Sequence, residues 1–213
     1  MDSTRKTMRM HWENEIPAEV VRLSELFASA GFKIHLVGGC VRDLLLGRKA
    51  HDFDFTTSAT IEEMQSLLRA NSLRYNDKYL FLNYVQVYTD NDDLEPVDIS
   101  CYHGKDLDED LKDRDLTINA LAYDIQAGEI VDCTGGLEDL RNRIIRYSRP
   151  LGKDNPGDIL RALRFALELD FRIDPQSYSA MEESVVYMEG IRTSTLVKGM
   201  TKLLRGARNK LTG

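Results

Sequence analysis

The stretch from Leu36 to Thr57, LVGGCVRDLLLGRKAHDFDFTT, reads as a strand, a glycine turn, a short helix and a second strand in that order. Gly38 and Gly39 end the first apolar run. A helix N-terminus opened by glycines leaves backbone N–H groups able to approach an anion. Arg42 falls in the first turn beyond and adds a charge-assisted contact for a phosphate. In Asp52-Phe53-Asp54-Phe55, strand alternation puts both rings on the core face and both carboxylates on the other. Two like charges on one face are unfavourable unless a cation neutralises them. Taken singly, paired glycines are an ordinary tight turn and paired aspartates a solvent-facing edge. Together within 22 residues they point to a phosphate seat beside a metal clamp, and so to chemistry on a nucleoside triphosphate.

Asp98, flanked by Val97 and Ile99, extends this reading. An acid between two apolar neighbours can simply face water; if its strand lies beside that of the first two acids, it completes a site for a pair of Mg²⁺ ions, with Mn²⁺ as a substitute. One ion then activates an attacking hydroxyl and the other steadies the leaving pyrophosphate. The third acid holds the first ion and is placed to accept the hydroxyl proton.

Composition bounds the setting. A chain of 213 residues with 42% apolar content supports one compact domain and a smaller helical extension. The formal net charge of -7 argues against nucleic-acid binding by bulk charge, but it hides an asymmetry. Residues 191–213 carry six basic side chains (Arg192, Lys198, Lys202, Arg205, Arg208, Lys210) and no acidic one. The remainder holds 22 basic against 35 acidic residues. A basic tail on an acidic body docks on nucleic acid or is simply a solvated helix face. Cys40, Cys101 and Cys133 form no close pair, which suits a reduced, cytoplasmic protein. No apolar run approaches the roughly 20 residues that a membrane helix needs, and the N-terminus has no secretion-signal core.

Along the chain, residues 1–15 read as frayed. Pro17 opens a helix that Gly31 closes. Strands are expected over 33–37, 52–56, 79–89 and 96–102, with helices over 41–46 and from a Ser58 or Thr60 cap to about 70. Residues 105–112 read as an acid-rich loop and 117–122 as a helix. A hairpin turns around Ala127-Gly128. A helical turn over 137–141 and a short strand over 144–147 follow. Beyond Pro156 come three helical segments near 157–169, 176–189 and 195–206. The boundary is set near residue 150: a mixed α/β domain over 1–150, then a helical one with a basic end over 151–213.

At this point four motifs in order, LVGGCVRDLLLG…HDFDFTT, KDRDLTINALAYD, GGLEDLRNRIIRY and LRALRFALELDFRI, resemble the class II tRNA nucleotidyltransferase and bacterial poly(A) polymerase family over residues 34–206. The resemblance implies a polymerase-β-like head with a mixed sheet and a helical neck, the body and tail domains being absent. It also implies metal-dependent, template-independent transfer of a nucleoside monophosphate from ATP or CTP to an RNA 3′ hydroxyl, as in tRNA processing. Asp52, Asp54 and Asp98 match the catalytic metal ligands, the last standing where the family usually has glutamate. Gly38, Gly39 and Arg42 match triphosphate contacts. Arg114 matches the nucleotide-binding arginine of the second motif. Arg161 and Arg164, three apart on a helix and so on one face, match neck arginines that reach the nucleotide.

The chain departs from this pattern in three places. Asp113 replaces the first of two arginines in the second motif. The family's Glu-Asp-x-x-Arg, whose Asp and Arg present a Watson–Crick-like edge to the incoming base, is Asp154-Asn155-Pro156-Gly157-Asp158 here. Arginine offers only donors and ionised aspartate only acceptors, while Asn155 offers both. Base selection at Asn155 and Asp158 is therefore expected to differ from that of CCA-adding enzymes. Finally, the sequence stops after the third neck helix, which leaves three expectations open: the acceptor is held differently, a second copy or a separate subunit holds it, or the sequence is a fragment of a longer chain. Two other readings follow from these departures: transfer to a small-molecule or protein hydroxyl, or an inactive nucleotide- or RNA-binding regulator.

Overall fold

The computed structural model describes residues 5–12 and 14–212, without the side chains of 206–212. Its packing divides the chain into two units: residues 1–113 with 119–134, and residues 114–118 with 135–213. That division falls at Thr134, where packing changes. The boundary was expected near residue 150; among the described residues, three of the four α-helices of the second unit lie beyond it, together with the short strand Arg172–Ile173.

The first unit is built on one eight-stranded sheet. Its strands are β1 (Lys6–Arg9), β2 (Ile34–Val37), β3 (Asp54–Thr57), β4 (Tyr75–Asn76), β5 (Tyr84–Val87), β6 (Val97–Cys101), β7 (Leu121–Asp124) and β8 (Glu129–Asp132). They run in the order β1-β8-β7-β2-β3-β6-β5-β4, antiparallel except for the β3–β6 pair. Three helices, α1 (Ala18–Ser29), α2 (Gly39–Leu45) and α3 (Ile61–Ala70), follow the first strands. Val20, Leu23 and Phe27 of α1 are buried at helical spacing. Thr60 starts α3 with a capping box, accepting from the Glu63 N–H while the Glu63 carboxylate accepts from the Thr60 N–H. Leu36, Phe55, Val85 and Ile99 are register neighbours on β2, β3, β5 and β6 and are fully buried, which fixes one face of the sheet as core.

On the other face, Val37, Ala122 and Val131 pack beneath α4 (Leu107–Lys112), against Leu107 and Leu111. An acid-rich loop was expected here. The acids instead belong to the first turn of a helix: Asp106 caps it by accepting from the Glu109 N–H at 3.0 Å, and Asp108, Glu109 and Asp110 complement the helix dipole. Leu107 and Leu111, four apart, supply the apolar stripe.

Four other expectations are corrected. Within the stretch expected to fray, β1 pairs with β8 (residues 1–4 and 13 lie outside the described residues). Its charged, mostly exposed residues hide the strand pattern, as edge strands often do. The strand expected over 79–89 is interrupted by a 3-10 turn at Leu80–Leu82 and by Asn83 in the left-handed region (φ 59°), so only Tyr84–Val87 pairs with β6. Its aromatic residues signal a ring stack, Tyr79 on Tyr84 at 5.0 Å. The helix expected over 117–122 is a single 3-10 turn, Thr117–Asn119, before β7. A short apolar run does not separate helix from buried strand. Lastly, the strand expected from Asp52 begins at Asp54.

The second unit contains α5 (Gly136–Asn142), α6 (Asp158–Leu169), α7 (Pro175–Ser184), α8 (Thr193–Thr212) and a parallel pair, β9 (Ile144–Ile145) with β10 (Arg172–Ile173). The segment 114–118 is tied into it. Leu116 bridges Tyr147, the Thr117 N–H donates to the Arg146 carbonyl, and the Thr117 hydroxyl donates to Asp139 at 2.7 Å. Asp139 also pairs with Arg146, which reaches Asp174 at 2.9 Å.

Candidate active site

The glycine turn and the acids come together in the first unit through sheet register. Val37, the last residue of β2, pairs with Asp54, the first of β3. Gly38 follows with φ 78° and ψ −134°, a conformation that L side chains rarely adopt. It lets the chain turn directly into α2 beside Asp54. Cys40 confirms the closeness. Its thiol donates to the Val37 carbonyl, and burial pushes it up to about 12 while the Asp54 backbone and carboxylate both act on it. This thiol is a packed side chain, not a nucleophile.

Asp54 is the register partner of Asp98 across the parallel β3–β6 pair, so both carboxylates leave the same face of adjacent strands. Gln86, opposite Asp98 on β5, donates its amide to Asp98 Oδ1 at 2.9 Å and fixes that carboxylate. Burial, opposed by this hydrogen bond and assisted by the charge of Asp52, raises the Asp98 pKa. Tyr84, two residues before Gln86 on β5, lies on the same face. Its phenol is raised by burial first and then by Asp98. The three expected acids are thus not equivalent. Asp54 and Asp98 form a register pair, whereas Asp52 precedes the strand, where alternation does not govern its direction. Among the described residues no group of three or more His, Cys, Asp or Glu side chains is already arranged to hold a metal. The register pair, with the charge of Asp52 felt at Asp98, nonetheless suits a hard divalent cation that takes oxygen donors.

Arg42 is buried, with 7% exposure. Nε and Nη2 donate to the two carboxylate oxygens of Asp43 at 2.9 and 3.0 Å, and Nη1 donates to Asn119 at 2.7 Å. A Cβ placed on Gly39 would stand 3.5 Å from Arg42 Nη2. The guanidinium therefore backs the glycine turn and is anchored while doing so.

The remaining expected residues lie in the second unit. Arg114 is half-buried. The next residue, Asp115, pairs with Arg161 of α6, tying the second motif to the neck helix. Arg164 packs 4.1 Å from the Phe165 ring centroid and reaches Glu168 at 3.5 Å. Asn155 spends both ends of its amide on its own loop: Oδ1 accepts from the Gly152 N–H at 2.8 Å and Nδ2 donates to the Pro150 carbonyl at 3.2 Å. Asp158 accepts from Arg149 at 3.0 Å, and burial raises its pKa against that pairing. Gln86, Asp115 and Arg149 escaped sequence reasoning. Asp115 sits inside a quoted motif and Gln86 alternates with buried valines, so both carried a signal. Arg149 carried none.

The description "Poly A polymerase head domain" belongs to the family model that matches residues 34–146. The CCA-adding enzyme of Lactococcus lactis subsp. cremoris is 35% identical over 222 residues, covering 93% of this chain and 54% of that protein. A CC-adding tRNA nucleotidyltransferase of Halalkalibacterium halodurans is 35% identical over 178 residues, covering 83% and 45%. The chain spans about half the length of the curated relatives it matches. Among solved structures, the Bacillus stearothermophilus CCA-adding enzyme in complex with CTP superposes with a TM-score of 0.79 at 31% identity, covering 87% of this chain and 48% of that one. The Thermotoga maritima CCA-adding enzyme complexed with tRNA gives 0.77 at 27% identity, covering 90% and 48%. The mixed sheet carrying a glycine turn and register-paired acids is thus that of a polymerase-β-like head, and the chain belongs to the poly A polymerase head domain family.

Proposed function

We propose that this protein is a metal-dependent, template-independent nucleotidyltransferase that moves a nucleoside monophosphate from an NTP to an RNA 3′ hydroxyl. The observation that carries the reading is the register of β2, β3 and β6, which sets the Gly38-Gly39 turn beside Asp54 and Asp54 beside Asp98. The relatives named for CCA and CC addition, and the neighbours solved with CTP and tRNA, support the same class of reaction and partners.

In this reading residues 1–150 act as the catalytic head and 151–213 as the neck. Backbone N–H groups after Gly38 and Gly39 receive the triphosphate, with the Arg42 charge anchored behind them. Asp52, Asp54 and Asp98 would hold Mg²⁺, which would supply charge to offset the phosphates and to favour ionisation of the attacking hydroxyl. Gln86 keeps Asp98 in place. Arg114, Arg161 and Arg164 contact the nucleotide, Arg161 being steadied by Asp115. Asn155 and Asp158, engaged by their own surroundings, give a base preference unlike that of an Asp–Arg reading pair.

Purified protein with each labelled NTP, Mg²⁺ and total RNA should label RNA and release pyrophosphate. Asp54→Asn should lower transfer by roughly a hundredfold or more, as loss of a transition-state charge contact does, with the thermal melt retained. Transfer undiminished in Asp54→Asn would overturn the site. Label in a small molecule or in protein would overturn the RNA acceptor.

A further inference from the structure

The groove between α6 and α8 in the second unit is lined by Arg161, Arg164, Lys198 and Lys202, with Leu160 and Gly199 at its floor, and has a volume of about 250 Å³. None of the described residues lining it is acidic. The arginines are three apart on α6 and the lysines four apart on α8, so each helix turns two cations to one side. Gly199 brings the helices together: a Cβ there would meet Leu160 Cδ1 at 2.7 Å. Asp115 holds Arg161, and the Phe165 ring with Glu168 holds Arg164, so the α6 cations are positioned in advance. Lys198 and Lys202 are exposed. Two arginines set in place by carboxylates and two exposed lysines give the groove an excess of positive charge, which favours a phosphate-bearing ligand. The volume falls below the roughly 300–1,000 Å³ of pockets that enclose a whole small molecule. It suits a backbone segment passing along the α8 lysines, on the wall opposite the two α6 arginines proposed to contact the nucleotide.

We propose that this groove binds the phosphodiester backbone of single-stranded RNA, with Lys198 and Lys202 each contacting a phosphate. The proposal rests on the RNA-acceptor reading above and adds to it the place where the strand is held.

The test measures affinity of the full chain for a labelled single-stranded RNA at several salt concentrations, beside mononucleotide affinity. Each phosphate contact on a single strand contributes about 0.7 to the slope of log affinity against log salt. Lys198→Gln with Lys202→Gln should therefore lower that slope by about 1.4 and weaken binding roughly tenfold near 0.15 M salt. Lys198→Arg with Lys202→Arg should keep the wild-type slope, which separates charge from misfolding. Wild-type protein that labels RNA while the glutamine variant keeps its slope would overturn the groove alone. Equal loss of RNA and mononucleotide affinity would also overturn it, in favour of a nucleotide site. Wild-type protein that neither binds nor labels RNA would overturn the acceptor reading, and the groove with it.

Discussion

At the scale of single residues, position in the sequence and availability in the fold proved to be different things. Asp54 was readable as a strand-face acid from alternation alone, whereas its place beside Asp98 depends on the β3–β6 register, which only the fold supplies. Arg42 was legible as a cation beside a glycine turn, but not as one held by Asp43 and Asn119, since Asn119 lies 77 residues away in the chain. Asp158 is the clearest case. It replaces an expected arginine, and its partner is an arginine supplied from position 149. Burial raises its folded pKa above the ordinary aspartate value of about 3.8, with Arg149 only partly compensating. A carboxyl raised in this way favours the folded state most below its unfolded pKa, and that contribution is lost as pH rises through the folded value. The stability of wild type relative to Asp158→Asn should accordingly fall as pH increases from about 3.8 into the raised range. Urea melts of both proteins at several pH values check this. A difference that grows with pH would mean that the Arg149 pairing outweighs burial.

At the scale of elements, the strands and helices that carry complete hydrophobic patterns were readable. These include α1, α3, β2, β6 and the β7–β8 hairpin, each with caps, turns or alternation to mark it. Elements with mixed signals were not. β1 is a charged edge, and the aromatic run before β5 contains a 3-10 turn and a left-handed Asn83. α4 was hidden because its acids look like a solvated loop until the Asp106 cap and the Leu107–Leu111 stripe are taken together. The packing gives α4 a definite job, since Leu111 is fully buried against Val37, Ala122 and Val131 on the sheet face that also bears the acids. Leu111→Ala should cost about 2–5 kcal/mol of stability, the range for a buried leucine truncation. A solvated loop position would lose within about 0.5 kcal/mol. Denaturant unfolding distinguishes the two values directly.

At the scale of the whole molecule, the proposed function assigns different parts of the chemistry to the two packing units. The first holds the glycine turn and the register-paired acids. The second holds the residues at which a base would be read. That separation allows one function to persist while the other changes. A site built to hydrogen-bond its substrate rejects an analogue lacking the matching group by roughly ten thousand-fold or more, whereas shape and apolar contact alone give about 10- to 200-fold. Asn155 spends its amide on Gly152 and Pro150, and Asp158 its carboxylate on Arg149, so a paired donor–acceptor edge is not available from these two side chains in this arrangement. Transfer should then proceed with discrimination in the lower range. Across ATP, CTP, GTP and UTP on one RNA acceptor, the spread in kcat/KM should stay within about 200-fold. Product sequencing should show no fixed order of addition. Ordered addition of two cytidines and one adenosine, with GTP and UTP refused, would require a base-reading edge from other residues and would refute the assignment of selection to Asn155 and Asp158. Restoring Asp at 155 and Arg at 158 in one variant supplies the reciprocal measurement. It should widen the spread beyond 200-fold if those two positions control selection, and leave it unchanged if they do not.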